Sequence, residues 1–353
     1  MESLYYVMSW ACHRKCKHCY ETRFRPYVRD ELKAVVAQSV TNFPRIIANM
    51  PDSMMYRDLS APLPQGGYAH KTGRIILAGG EALLEPVLTE VTYPVINALN
   101  TRYGRDGVNI VVQTTGDLVT EKILDELLFR GVWMISISGM DDFHVGMEGD
   151  AKLALMAKLK SWFDARQMHA SGWQGARAWG DEDGPLYHFF GANPDEWIGK
   201  LWPRGRAWEN GLSTATIQDN FCAQWSGARN FLNHGYAGSE VSIDPNGDVF
   251  PCCMKTRIPI GNLTEEPLIG ILDSLAGHPV YEALSAGRPD RMGIAQGWDM
   301  ARMLAESETL TPAGKPYRNL CIGCDRFHDE VMAPIITALR NTRSARQSGT
   351  SVI

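Results

Sequence analysis

Four apolar runs in the first 140 residues, each separated from the next by a stretch of helical period, constrain this chain most. They are LYYVMSW (4–10), RIILAGG (74–80), VNIVVQTTG (108–116) and VWMISIS (132–138). Runs this short and this continuously apolar read as strands buried on both faces. The segments RDELKAVVAQSVTNFPRIIANM (29–50), EPVLTEVTYPVINALNTRY (85–103), TEKILDELLFRG (120–131) and 150–166 read as helices. Pro44 is expected to kink the first, Pro94 to interrupt the second and Thr120 to cap the third. LYHFFGA (186–192) adds a strand and PDEWIGKL (194–201) a short helix. Alternation of this kind calls for a parallel sheet with helical crossovers, and the site then belongs at the strand ends. Periodicity alone does not separate an open sheet from a barrel.

The chain has 353 residues, 44% of them hydrophobic and 21% charged, enough for roughly two domains and a large core. A net charge of -5 gives no global attraction to nucleic acid or anionic membrane, and neither partner is expected. No apolar run approaches a membrane span of roughly 20 residues, and the charged HRKCKH comes too early for a signal peptide, so a cytoplasmic protein is expected. From 167 to 220 the pattern gives way to a Trp- and Gly-rich stretch, read as core and loop packing or as a wall facing a substrate.

The eight cysteines fall into two sets. Cys12, Cys16 and Cys19 open the chain, whereas Cys222, Cys252, Cys253, Cys321 and Cys324 lie far downstream. In a reducing compartment this points to metal or redox chemistry rather than disulfides. A C-x3-C-x2-C loop can wrap one iron–sulfur cube and leave its fourth iron without a protein ligand. Structural zinc wants four ligands, so His13 or His18 would have to bend back within the same loop.

With these residues the sequence resembles the radical S-adenosylmethionine superfamily, which carries this loop after its first strand. The CKHCY form, with His18 and Tyr20, resembles the subset with a C-terminal SPASM or twitch extension. The resemblance implies an α/β fold: a partial (β/α)6 TIM-type barrel followed by a small α+β SPASM/twitch domain with a β-hairpin. It divides the chain into a barrel (1–215), an auxiliary iron–sulfur domain (216–330) and a C-terminal helix and tail (331–353). It also implies that the open iron holds S-adenosylmethionine, whose reductive cleavage gives a 5'-deoxyadenosyl radical. A reducing partner such as flavodoxin or ferredoxin follows.

Gly79, Gly80 and Glu81 stand where the family has GGEP, with Ala82 in place of Pro. By similarity they contact the cofactor, together with Tyr20. Thr114, Ser136 and Ser138, at the ends of the third and fourth strands, are candidates for its ribose and carboxylate. Arg206, in WPRGRAW (202–208), resembles a GRA element and would bring a guanidinium to a carboxylate, or cap the barrel rim.

VSIDPNGDVFPCC (241–253) reads as a hairpin turning at DPNGD, and Gly247 precedes Cys252 by five positions. That spacing and CIGC (321–324) resemble the extension. A full SPASM set needs about seven cysteines, so five imply one auxiliary cluster. Cys222, Cys252, Cys321 and Cys324 are its expected ligands. Cys253 is the spare thiol, able to replace Cys252 or to return a hydrogen atom to a substrate radical. Adjacent side chains on an extended segment point to opposite faces, so both are not expected on one cluster.

The expected reaction is hydrogen abstraction completed by an oxidation, either dehydrogenation or bond formation, with a redox-neutral epimerisation or peptide maturation as the alternative. A zinc-stabilised binding protein and an electron carrier without S-adenosylmethionine chemistry are the rivals from other classes. The first strand begins at once, so a small molecule, or a peptide without a docking domain, is the expected substrate.

Overall fold

The computed structural model describes residues 1–171, 183–193 and 199–347. Its elements in chain order are β1 (Ser3–Val7), α1 (Arg29–Ala48), β2 (Met55–Pro62), β3 (Tyr68–Thr72), β4 (Arg74–Ala78), α2 (Tyr93–Tyr103), β5 (Asn109–Thr114), α3 (Glu121–Phe129), β6 (Met134–Ile137), α4 (Ala151–Ala165), β7 (His169–Ala170) and β8 (Leu186–Phe189). There follow α5 (Gly205–Glu209), β9 (Glu240–Ile243), β10 (Asp248–Phe250), β11 (Gly261–Asn262), α6 (Leu268–Leu275), α7 (Pro279–Ser285), α8 (Met300–Glu306), β12 (Glu308–Leu310), β13 (Pro316–Arg318), α9 (Leu320–Phe327) and α10 (Ala333–Gln347).

One sheet of nine strands organises the molecule, in the order β11-β10-β9-β1-β4-β5-β6-β8-β7. From β1 to β7 all five neighbouring pairs are parallel, as the alternation of strands and helices requires. The linear order makes this an open, partial barrel. Register aligns one interior row: Tyr5 faces Ile76, Ile76 faces Val111, Val111 faces Met134 and Met134 faces Leu186. Helices cover the other face, where Leu4, Ile75, Leu77, Ile110, Val112 and Ile135 are buried with Val95, Leu99, Leu124 and Leu127.

The helices follow their local signals. Thr120 Oγ1 accepts from Ile123 N at 3.2 Å, the expected cap of α3. Pro94 lies in the first turn of α2, where a missing N–H costs nothing, and a π-type turn over Leu88–Thr92 precedes it. Pro44 sits inside α1, which continues to Ala48. The expected helix over 194–201 falls largely outside the described residues. The antiparallel β2–β3 pair was not expected, although Tyr56 and Thr72 flank a turn-rich APLPQGG.

The downstream hairpin does not form a separate layer. β9 pairs in parallel with β1, Ser3 facing Glu240 and Tyr6 facing Ile243, so the sheet crosses the expected domain boundary. The turn between β9 and β10 closes with Gly247 N on Asp244 O at 2.9 Å. Gly247 has φ +86, and a Cβ there would also meet Asn262 Oδ1 at 2.8 Å.

Candidate functional site

The cysteine loop leaves β1 and is gripped by three segments. Gly80 N donates to Ser9 O at 3.1 Å and Glu81 N to Ala11 O at 3.0 Å. A Cβ at Gly80 would lie 2.3 Å from Ala11 O, so this approach admits glycine only. From the opposite side, Arg206 donates to the carbonyls of Cys16 (Nε, 2.8 Å), Thr22 (2.8 Å) and Phe24 (2.7 Å). Gly205 beside it has φ +50, and a Cβ there would meet Tyr20 O at 2.4 Å. Finally, Arg14 and His13 both pair with Asp117, at 2.8 and 2.7 Å, tying the loop to the end of β5.

Beneath the loop lies a cavity of about 230 Å³. Cys12, Cys16 and Cys19 all line it, as do Tyr20, Gly79, Gly80, Ser138 and Arg206 among the residues expected from sequence. Burial pushes the thiols up, Cys12 to about 12 and Cys19 to about 11, so without a metal they stay protonated. Phe24, Phe190, Leu201, Trp202 and Phe221 supply apolar walls. A smaller cavity of about 60 Å³ continues into the sheet interior, lined by Tyr5, Gln113, Ser136 and His188. Burial lowers His188 to about 4, so its imidazole is neutral.

Two expected residues are turned elsewhere. Glu81 is buried, and its carboxylate accepts from Thr114 Oγ1 (2.6 Å), Thr115 N (2.9 Å), Thr115 Oγ1 (2.7 Å) and Leu83 N (3.0 Å). Neither Glu81 nor Thr114 lines the cavity, which takes Gln113 and Thr115 instead. Thr114 alternates with Gln113, and the register sets Gln113 opposite inward-facing Ser136.

Sequence reading also passed over Asp141 and His144. Asp141 organises the turn after β6: it accepts from Phe143 N, His144 N and His144 Nδ1 on one oxygen and from Ala192 N on the other. His144 lies edge-on to His18, ring centroids 4.4 Å apart. Desolvation first, then His144, lowers His18 to about 4. Ligand atoms of His18, Asp141 and His144 lie within 4.8 Å of one another, the one such trio among the described residues. The hydrogen bonds already saturating Asp141 make this a turn-forming cluster.

Zn–S bonds of about 2.3 Å put sulfurs less than about 4 Å apart, and no three cysteines among the described residues approach so closely. All eight are free thiols. Cys222, Cys252, Cys321 and Cys324 line a second cavity with Arg204. Asn319 Oδ1 caps α9 by accepting from Cys321 N at 2.9 Å, which sets Cys321 and Cys324 on one helix face. Burial works against charge on Arg204, but Asp325 at 2.7 Å and the thiols of Cys321, Cys324 and Cys252 outweigh it and hold the guanidinium above its ordinary value. Four sulfurs around a buried cation suit an anionic cluster.

Cys253 departs from its neighbour. It lines the main cavity and is absent from the one that Cys252 lines, because the chain turns here, beyond the end of β10, with Lys255 N donating to Cys252 O at 3.1 Å. Its N–H donates to Ser226 O at 3.0 Å, and burial raises its thiol well above the usual range. Two residues on, Lys255 Nζ pairs with Glu21 Oε2 at 3.1 Å, joining the hairpin segment to the cysteine loop.

The model of the SPASM family, described as an iron–sulfur cluster-binding domain, matches residues 236–285. This segment is a SPASM match. It contains β9, the hairpin turn, Cys252 and Cys253. Among solved structures the chain is similar to BtrN in complex with AdoMet and 2-DOIA, at 14% identity over 86% of this chain and 92% of that one, with a TM-score of 0.42. It is similar to native anSMEcpe with bound AdoMet and Cp18Cys peptide, at 11% identity over 98% and 99%, TM-score 0.41. Streptococcus suis SuiB bound to S-adenosylmethionine gives 11% over 80% and 67%, TM-score 0.39. No curated protein matches the chain. No helix among the described residues is long and apolar enough to cross a membrane.

Proposed function

We propose that this chain is a radical S-adenosylmethionine enzyme that abstracts a hydrogen atom from its substrate and completes an oxidation with the help of one auxiliary cluster. The observation that carries this reading is the partition of the eight cysteines: Cys12, Cys16 and Cys19 with Cys253 on the wall of one cavity, and Cys222, Cys252, Cys321 and Cys324 around another. When bound, an open-iron cluster with S-adenosylmethionine supplies a 5'-deoxyadenosyl radical, and a second cluster of four thiolates supplies a site for the electron left on the substrate. The chain's own work is positioning. Arg206 and Gly80 fix the cysteine loop, Phe24, Phe190 and Trp202 exclude water, and Arg204 offsets charge at the auxiliary thiolates. The substrate is a small molecule or a peptide.

Reconstituted anaerobically, the protein should hold about eight irons, and Cys321→Ala or Cys324→Ala should lower iron and solubility together, because these thiolates tie α9 to the hairpin segment. About twelve irons at full occupancy would rule out a single auxiliary cluster. A colourless zinc protein, or a brown one that leaves S-adenosylmethionine intact, would overturn the reading altogether.

One observation favours a second, redox-neutral reading. Cys253 is a half-buried thiol on the reaction cavity, its titration pushed well above the usual range, and a thiol gives up a hydrogen atom readily. Turnover in deuterated water separates the two outcomes. The oxidative reading expects a product two hydrogens poorer, with no solvent deuterium at carbon. Deuterium at carbon in a product of unchanged formula, lost in Cys253→Ala, would replace oxidation by epimerisation.

A further inference from the structure

The radical reading requires one electron from outside for each cleavage, and the surface through which it enters can be sought in the charge distribution. Residues 13–33 carry seven Lys and Arg against three Asp and Glu, an excess of four positive charges in a chain of net charge -5. Most of these cations are engaged. Arg14 pairs with Asp117, Arg23 with Glu21, Arg25 with Glu31 and Lys33 with Asp30. Lys15 and Lys17 are exposed and have no ion-pair partner among the described residues. They flank Cys16 in sequence, on the loop that carries all three N-terminal cysteines, and so place two unpaired ammonium groups on the exposed part of that loop.

The auxiliary site offers no equivalent. There Arg257 faces Asp325 and Asp329 at 3.9 and 3.8 Å, Arg288 pairs with Asp290 at 2.7 Å, and Arg326 with Glu306 at 3.2 Å. Charge of both signs cancels around it.

We propose that the outer face of the cysteine loop, at Lys15 and Lys17, is the docking site of an acidic one-electron carrier protein; this rests on the radical reading above. One electron would pass from the reduced carrier to the cluster that Cys12, Cys16 and Cys19 would hold, with no atoms exchanged. Because the chain as a whole is acidic, long-range steering opposes such a partner. A local patch is needed to hold it, and salt should weaken the hold within a Debye length of about 10 Å.

The test measures calorimetric binding of oxidised flavodoxin to the reconstituted protein, alongside cleavage of S-adenosylmethionine driven either by reduced flavodoxin or by dithionite. In the Lys15→Glu/Lys17→Glu protein, binding and flavodoxin-driven cleavage should fall by about tenfold or more. Dithionite-driven cleavage should stay within about twofold, since a small reductant needs no docking face. Arg257→Glu should leave flavodoxin binding unchanged, and raising salt from about 50 to about 200 mM should weaken binding to the wild type. Unchanged binding in the double variant, binding indifferent to salt, or a stronger effect from Arg257→Glu would overturn the docking site. Failure of dithionite to drive cleavage in the wild type would instead sink the radical reading, while the binding measurements would still decide the surface.

Discussion

Replacing Cys12, Cys16 and Cys19 together by Ala is expected to leave a folded protein that retains about four irons and no longer cleaves S-adenosylmethionine. Fold survival follows from how the loop is held. Its anchors are backbone carbonyls bound by Arg206, backbone contacts to Gly80 and Glu81, and the ion pair of Arg14 and the hydrogen bond of His13 with Asp117, none of which uses a thiol. The remaining irons follow from the partition of ligands, because Cys222, Cys252, Cys321 and Cys324 line a different cavity. Iron per chain, the circular dichroism spectrum and the yield of 5'-deoxyadenosine report the three parts separately. Full cleavage activity in the triple variant would sink the assignment of the open-iron site. Loss of all iron would show that the two sites assemble as one.

Much of this was legible in the sequence because the signals are local. Three thiols within eight residues, a CxxC on one helix turn and a Gly-containing hairpin turn each declare their geometry over short spans. The alternation of strands and helices also survived, with ends displaced by a few residues. What escaped depends on faces and on distant partners. Thr114 and Gln113 are adjacent and equally polar, and only the sheet register shows that Gln113 belongs to the interior. Glu81 looks free in the sequence but is consumed by Thr115, 34 positions away. Asp141 acts by gathering backbone N–H groups from two turns, a role with no spacing signature. Arg204 and Arg206 are two residues apart in one quoted stretch, yet one serves the auxiliary thiols and the other the cysteine loop. Cys252 and Cys253 do line different cavities, but a turn closed by Lys255 N on Cys252 O separates them, and not the alternation along a strand that the sequence suggests.

Arg206 is where the structure gives an expected cofactor residue a firmer task. Its guanidinium lies in the cavity wall, but all three of its nitrogens are spent on the carbonyls of Cys16, Thr22 and Phe24. Those carbonyls bracket Cys19, and no single ammonium can match a planar fork that spans them. Arg206→Lys should therefore keep the fold and the auxiliary irons but fill the N-terminal site poorly. Arg206→Ala should be worse: each buried carbonyl left without a partner costs about 1–3 kcal/mol, and three share one loop. Amide hydrogen exchange across residues 16–24 should rise in both variants, more in the alanine, while exchange in α9 stays as in the wild type. If Arg206 served chiefly to hold a carboxylate of the cofactor, both variants would load iron normally, exchange would be unchanged, and only the affinity for S-adenosylmethionine would fall. Iron occupancy and exchange thus separate a loop clamp from a ligand contact before any substrate is known.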